Sequence, residues 1–188
     1  MMSGRIKIFL KCIGLSLFLS TSLVNAQVLQ DTTSLYLIRK DIDYIYNLQF
    51  NNAREVYKEF SQLYPEHPFV FLLRGIQTYW ENYPLLNTTP AHVSFEEDMR
   101  RCIRLSEENN NPVYEEEYLL ANLCARGMLL VFYVDNDLII KVTPLAVSTY
   151  KYIRHSFDFT SVCTDLYYFT GIYNYYREAY PREYPVYK

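Results

Sequence analysis

Glycine, histidine and tryptophan are scarce in this chain: 5 Gly, 3 His and 1 Trp in 188 residues. Gly4 and Gly14 lie near the start, and Gly75, Gly127 and Gly171 are far apart. No glycine-rich loop that could cradle a phosphate with successive backbone N–H groups can be built from them, and collagen-like or linker compositions are excluded. His67, His92 and His155 stand apart from one another and from the cysteines, and neither H-E-x-x-H nor G-x-S-x-G occurs. No C-x-x-C spacing points to zinc or to a redox pair. A basic excess is missing as well, with 18 Lys and Arg against 21 Asp and Glu, which argues against a general nucleic-acid binder. The expected inventory therefore holds no catalytic constellation, no cofactor and no metal, and the chain is not expected to be an enzyme.

What the sequence does have is apolar surface: half its residues are hydrophobic and 17% are aromatic, enough for one folded domain rather than disorder. Residues 1–26 begin with Arg5, Lys7 and Lys11, continue apolar from Cys12 to Val24 and end on small residues. That order is a secretory signal pattern, with Val24 and Ala26 at the −3 and −1 positions and cleavage before Gln27. The apolar stretch is shorter than the ~20 residues of a membrane span. The domain is then 27–188, exported to the periplasm or the outer membrane, and the formal charge moves from −3 to −6 because three cations and no carboxylates are removed. From Gln27 onward no segment is expected to cross a bilayer, so membrane association would be peripheral at most. Of the three remaining cysteines, Cys102, Cys124 and Cys163, one disulfide is allowed in an oxidising compartment, with Cys102–Cys124 the pair to test, although apolar helical surroundings favour three buried thiols.

Apolar residues recur at helical spacing from Leu35 onward. Leu35, Ile38, Ile42 and Ile45 form one stripe, and Ala53, Val56, Tyr57, Phe60, Leu63 and Tyr64 another, with a turn at Gln49–Asn52 between them. Pro65 and Pro68 end the second, a third runs from Leu72 to Tyr83 and stops at Pro84, and residues 84–93 read as a loop. Phe95–Leu105 forms a fourth that ends in the polar stretch Glu107–Asn111, and Pro112 opens a fifth that breaks at Asp135–Asp137. A sixth is expected from Thr143, with Pro144 at its first position, to Ser156, and a seventh from Thr160 to Ala179. Glu96–Asp98 and Glu115–Glu117 each fall in the first turn of an expected helix, where carboxylates meet the positive end of the dipole. His67 reads as a solvated loop residue, and His155 as a cation at a helix C-terminus.

Tyr44, Phe50, Ala53, Tyr57 and Pro65, followed by Phe71 and Gly75, stand at the offsets of a 34-residue helix-turn-helix unit. The segment Leu37–Gly75 thus resembles a tetratricopeptide (TPR) repeat, with Asp41 where that family has Gly and Phe60 where it has a small residue. With the export signal, the whole chain resembles the exported TPR-like proteins of Gram-negative bacteria. The resemblance implies an all-α, TPR-like helical-hairpin superhelix (an α-α solenoid) of about seven helices, serving non-catalytic protein or peptide binding in the cell envelope.

Ten of the 20 tyrosines lie between Tyr150 and Tyr187, and Tyr167, Tyr168 and Tyr175 fall off the core stripe of the last helix. Tyrosine combines large contact area with a hydroxyl that tolerates water, which suits interfaces. Tyr44, Tyr79, Trp80, Tyr173 and Tyr176 are the candidate partner-binding residues. Two other readings stand beside the adaptor: an assembly protein whose aromatic C-terminal helix is an obligate homo-oligomer interface, and a carbohydrate-binding protein that uses Tyr and Trp80 as sugar platforms. Expressed with residues 1–26 in a Gram-negative host, the protein should be recovered from the periplasmic fraction with Gln27 as its N-terminal residue by Edman sequencing; a mature chain starting at Met1 contradicts the signal reading.

Overall fold

The computed structural model of the chain describes residues 27–161 and 163–183. Residues 1–26, on which the expected signal falls, residues 184–188 and the side chains of Tyr176 and Tyr180 lie outside what is described. Among the described residues there are seven α-helices and no strand: α1 (Thr32–Tyr46), α2 (Phe50–Leu63), α3 (Pro68–Glu81), α4 (Ala91–Glu108), α5 (Glu115–Asp135), α6 (Ile139–Ser156) and α7 (Leu166–Glu183). Single 3₁₀ turns stand at Pro112–Tyr114 and Phe157–Phe159. The all-α class and the number of helices agree with the periodicity.

Local chemistry explains most boundaries. Asp31 caps α1 by accepting the Ser34 N–H at 2.8 Å. Pro68 is the first residue of α3, where a missing N–H costs nothing, and Asn111 accepts the Val113 N–H at 3.0 Å ahead of the turn that leads into α5. Several boundaries differ from expectation. The α1–α2 turn is Asn47–Gln49, so Phe50 and Asn52 are helical; Leu48 takes a left-handed φ of 57° and the Gln49 N–H reaches back to the Tyr44 carbonyl at 2.8 Å. The same closure ends α5, with Asp137 at φ 56° and the Leu138 N–H on the Tyr133 carbonyl at 2.8 Å. Because that turn finishes at Leu138, α6 starts at Ile139 rather than Thr143, and Pro144 lies inside it, withholding the donor that the Ile140 carbonyl would receive. In turn α7 begins at Leu166, since residues 157–161 form the 3₁₀ turn and its exit. As α4 begins at Ala91, Glu96–Asp98 stand in its second turn, whereas Glu115–Glu117 do open α5.

Successive helices run antiparallel. Arg54 in α2 pairs with Glu81 at the end of α3, and Arg74 in α3 pairs with Asp98 in α4. Each helix packs on its sequence neighbours, and α1, α3 and α5 also touch as a row. Where α3 meets α4, a Cβ on Gly75 would overlap the terminal methyl of Met99, itself fully buried, so glycine is what allows that approach. The core is centred on Phe60, Phe95, Phe132 and Tyr133.

α5 with its preceding turn, Pro112–Asp135, is long and apolar enough to cross a membrane, contrary to the expectation for residues after Gln27; 61% of its most apolar stretch is buried against the other helices. All three described cysteines are free thiols, so the Cys102–Cys124 bridge is not formed. Burial pushes both thiols up, that of Cys124 to about 12, which leaves them as small hydrophobes rather than nucleophiles.

Asp41 is fully buried in α1, and neither carboxylate oxygen has a hydrogen-bond partner among the described residues. Burial alone raises its pKa to about 7. The folded protein then holds a proton that the unfolded chain has released, so stability falls as pH rises from about 4 to about 7 and is level above that. Asp41→Asn should raise stability at pH 8 by about 4 kcal/mol and leave it nearly unchanged at about pH 3.5. Urea titrations at the two pH values check this; an equal effect at both would show that ionisation is not the cost.

Candidate functional site

α4 and α6 run parallel on either side of α5. Lys141 Nζ reaches Glu96 at 2.9 Å and the Tyr152 hydroxyl reaches Glu107 at 2.5 Å, two bridges from α6 to α4 with the same offset of 45 residues. Between these helices, floored by α5, lies a cleft of about 550 Å³. One side carries Arg100, Arg104 and Glu107 from α4, the other Ile140, Lys141 and Leu145 from α6, and the floor is Arg126, Leu129 and Tyr133. A smaller pocket of about 190 Å³, lined by Ser106, Tyr118, Asn122 and His155, continues beyond the Glu107–Tyr152 bridge.

Two polar nodes hold the cleft open at a fixed width. Arg126 is only 5% exposed. It donates to Asn122 and Ser148 at 2.8 Å and to Glu107 at 2.6 Å, and its guanidinium lies 4.5 Å from the centre of the Tyr152 ring. At the other end Tyr133 donates to Glu96 at 3.0 Å and accepts from Arg100 at 2.7 Å. Burial pushes the Glu96 and Glu107 carboxyls up, but hydrogen bonds from Lys141 and Tyr133 to the first, and from Tyr152 and Arg126 to the second, hold both below the ordinary range. Tyr133 is pushed up to about 12, first by burial and then by Glu96. Arg104 is exposed on this wall and has no hydrogen bond or ion pair among the described residues.

The residues singled out in the sequence do not converge on this cleft. Tyr79 is buried and donates to Asp135 at 3.2 Å. Trp80, half-buried, stacks on Tyr83 with ring centres 5.4 Å apart and meets the edge of Tyr46 at 5.6 Å. Tyr44 is half-buried on α1 near Lys40. Tyr173 packs against Tyr150 and Phe157 at the α6–α7 junction, and the Tyr176 side chain lies outside the described residues. Tyr79 and Trp80 are neighbours, with ring centres 5.6 Å apart.

Two histidines also differ in role. His67 is buried rather than solvated: its Nδ1 accepts the Phe69 N–H at 3.3 Å, which places the proton on Nε2, 3.1 Å from Glu117 Oε1. His155 stands in the last turn of α6 as expected, 2.8 Å from Glu115. Among the described residues no three His, Cys, Asp or Glu side chains are grouped to hold a metal. The residues the sequence reading passed over are Arg100, Arg104, Arg126 and Lys141. A signal for one of them was present: Arg126 is the single charge in the apolar run Leu119–Val134, and a lone guanidinium in such a run needs a buried partner.

No family model, no curated protein and no solved structure matches the chain. Chemically, the cleft offers an apolar wall, a cationic rim and a rigid polar floor, and it can hold an elongated ligand of mixed character. Arg126→Ala should cost about 3 kcal/mol in urea unfolding, since it removes several buried hydrogen bonds and the contact under Tyr152, while Arg104→Ala should change stability by less than about 0.5 kcal/mol. Similar costs for both would mean that Arg126 does not fix the cleft.

Proposed function

We propose that the chain is a non-catalytic peptide- or protein-binding adaptor of the cell envelope, built as a TPR-like helical-hairpin superhelix, with the α4–α6 cleft as its recognition surface. The single observation that carries this reading is the cleft itself: a trough with a cationic α4 wall and a largely apolar α6 wall, crossed by the Lys141–Glu96 and Tyr152–Glu107 contacts and floored by the buried Arg126 and Tyr133. Preorganisation of that kind lowers the entropy lost on binding an extended segment. Ile140, 92% exposed on the rim, offers the cleft an accessible apolar side chain. The up-down alternation, with α1, α3 and α5 in one row, supports the hairpin-stack reading. Export of the chain rests on the pattern of residues 1–26.

A second reading has its own support. Tyr167, Tyr168 and Tyr175 on α7 are 55%, 69% and 61% exposed, an aromatic face suited to an obligate oligomer. The two readings separate in one experiment, in which Ile140→Asp and Tyr168→Ala proteins, both altered at exposed positions, are compared with wild type by light scattering and by cross-linked affinity purification from the envelope. The adaptor reading expects a monomer whose captured partners are lost with Ile140→Asp and kept with Tyr168→Ala. A stable homo-oligomer dissociated by Tyr168→Ala, with capture unaffected by Ile140→Asp, supports assembly instead.

A further inference from the structure

We infer that the occupant of the α4–α6 cleft is an acidic peptide segment, one whose carboxylates meet Arg100, Arg104 and Lys141 while its apolar side chains lie on Ile140, Pro144 and Leu145. This rests on the peptide-binding reading above. Charge complementarity is the argument. Residues 27–188 carry a formal −6, yet this one cleft gathers four cations, Arg100, Arg104, Arg126 and Lys141, around a single lining carboxylate, Glu107. Glu96, at the rim, is shared between Arg100 at 3.3 Å and Lys141 at 2.9 Å, so one carboxylate answers two cations. Arg126 is consumed by the floor. Arg104 is the cation left over, one turn from Arg100 on the same face of α4 and directed to water at the mouth of the cleft.

A guanidinium without a partner, beside a half-answered one and an ammonium across an apolar trough, fits a side-chain carboxylate flanked by aliphatic residues. A basic segment would meet like charge and a purely apolar one would leave the rim cations without counterions. From Ile140 to Ser148 the α6 wall of the cleft is about 12 Å long, the span of about four extended residues, so a heptapeptide reaches past both ends.

The test uses three pools of fluorescent heptapeptides, X-Z-X-X-Z-X-X, with X drawn from Leu, Ile, Val, Phe and Ala and with Z being Glu, Gln or Lys. Each is titrated by anisotropy with the full mature protein at about 50 mM and about 500 mM salt. The Glu pool should bind about tenfold tighter than the Gln pool at low salt, with most of the difference gone at high salt, and the Lys pool should bind weakest. Arg104→Glu, at an exposed position with circular dichroism as the fold check, should reduce Glu-pool binding about tenfold and leave the Gln pool within twofold. Equal binding of the Glu and Gln pools, or indifference to Arg104→Glu, overturns the acidic preference while peptide binding stands. If none of the pools binds, the peptide-binding reading falls with it.

Discussion

Two charges inside the apolar helix α5 set the conditions for everything packed around it. Glu117 is 2% exposed and Arg126 5%, and an unpaired charge at that depth would cost several kcal/mol, so each neighbouring element has to bring a partner to a fixed place. Glu117 receives the Leu29 N–H at 3.1 Å from the segment before α1, and His67 at 3.1 Å from the start of α3. Arg126, two and a half turns further on, draws Glu107 from α4 and Ser148 from α6. Hydrophobic burial pushes helices together without direction. These contacts supply the direction, and they fix the register of α3, α4 and α6 against one central rod.

That register has a consequence for the surface. If α4 and α6 closed fully over α5 there would be no cleft. They are held apart because the Arg126 guanidinium and the Tyr152 ring stack between them, and because Pro144 interrupts the hydrogen-bond ladder of α6 on the side that faces α4. The cleft is thus a by-product of satisfying a buried cation, and its walls are as rigid as the core that sets them. α7 packs on α6 and the short turn before it, and Tyr167, Tyr168 and Tyr175 stand exposed on it.

How much of this could be read in the sequence follows from which interactions are local. Helix periodicity and proline signals are written within a few residues, and they gave the all-α class, the seven helices and the opening at Pro112, but not the starts of α2, α4, α6 and α7. The break at Asp135–Asp137 was expected, but the α1–α2 turn was placed two to three residues late and neither left-handed closure, at Leu48 or Asp137, was legible, because that conformation at a non-glycine residue is stabilised by backbone bonds reaching back five residues, not by the residue's own preference. Pro144 was placed at a helix start for the same reason, since the turn that really opens α6 lies upstream. His67 in a Pro-Glu-His-Pro loop looks solvated; only Glu117, 50 residues away, makes it a buried cap. The cleft was illegible because its four cations come from three helices, and no window of sequence contains them together.

The tyrosines also change meaning once partners are known. As composition they suggested a sticky C-terminal end. In the fold, four of them spread along the chain do one chemical job: Tyr64 donates to Asp31, Tyr79 to Asp135, Tyr133 to Glu96 and Tyr152 to Glu107, at 2.5–3.2 Å. Each contact joins two helices or a helix and its neighbour's cap. Two of these carboxylates, Asp31 and Glu96, are half-buried and two, Glu107 and Asp135, are exposed, and tyrosine reaches each with an O–H at the end of a rigid apolar ring that fills the space between helices on the way. Serine or threonine could donate but could not span that gap, and a further arginine would add a charge needing its own counterion. The abundance of tyrosine is therefore first a solution to packing an acidic helical chain, and the exposed rings of α7 are what remains after that use.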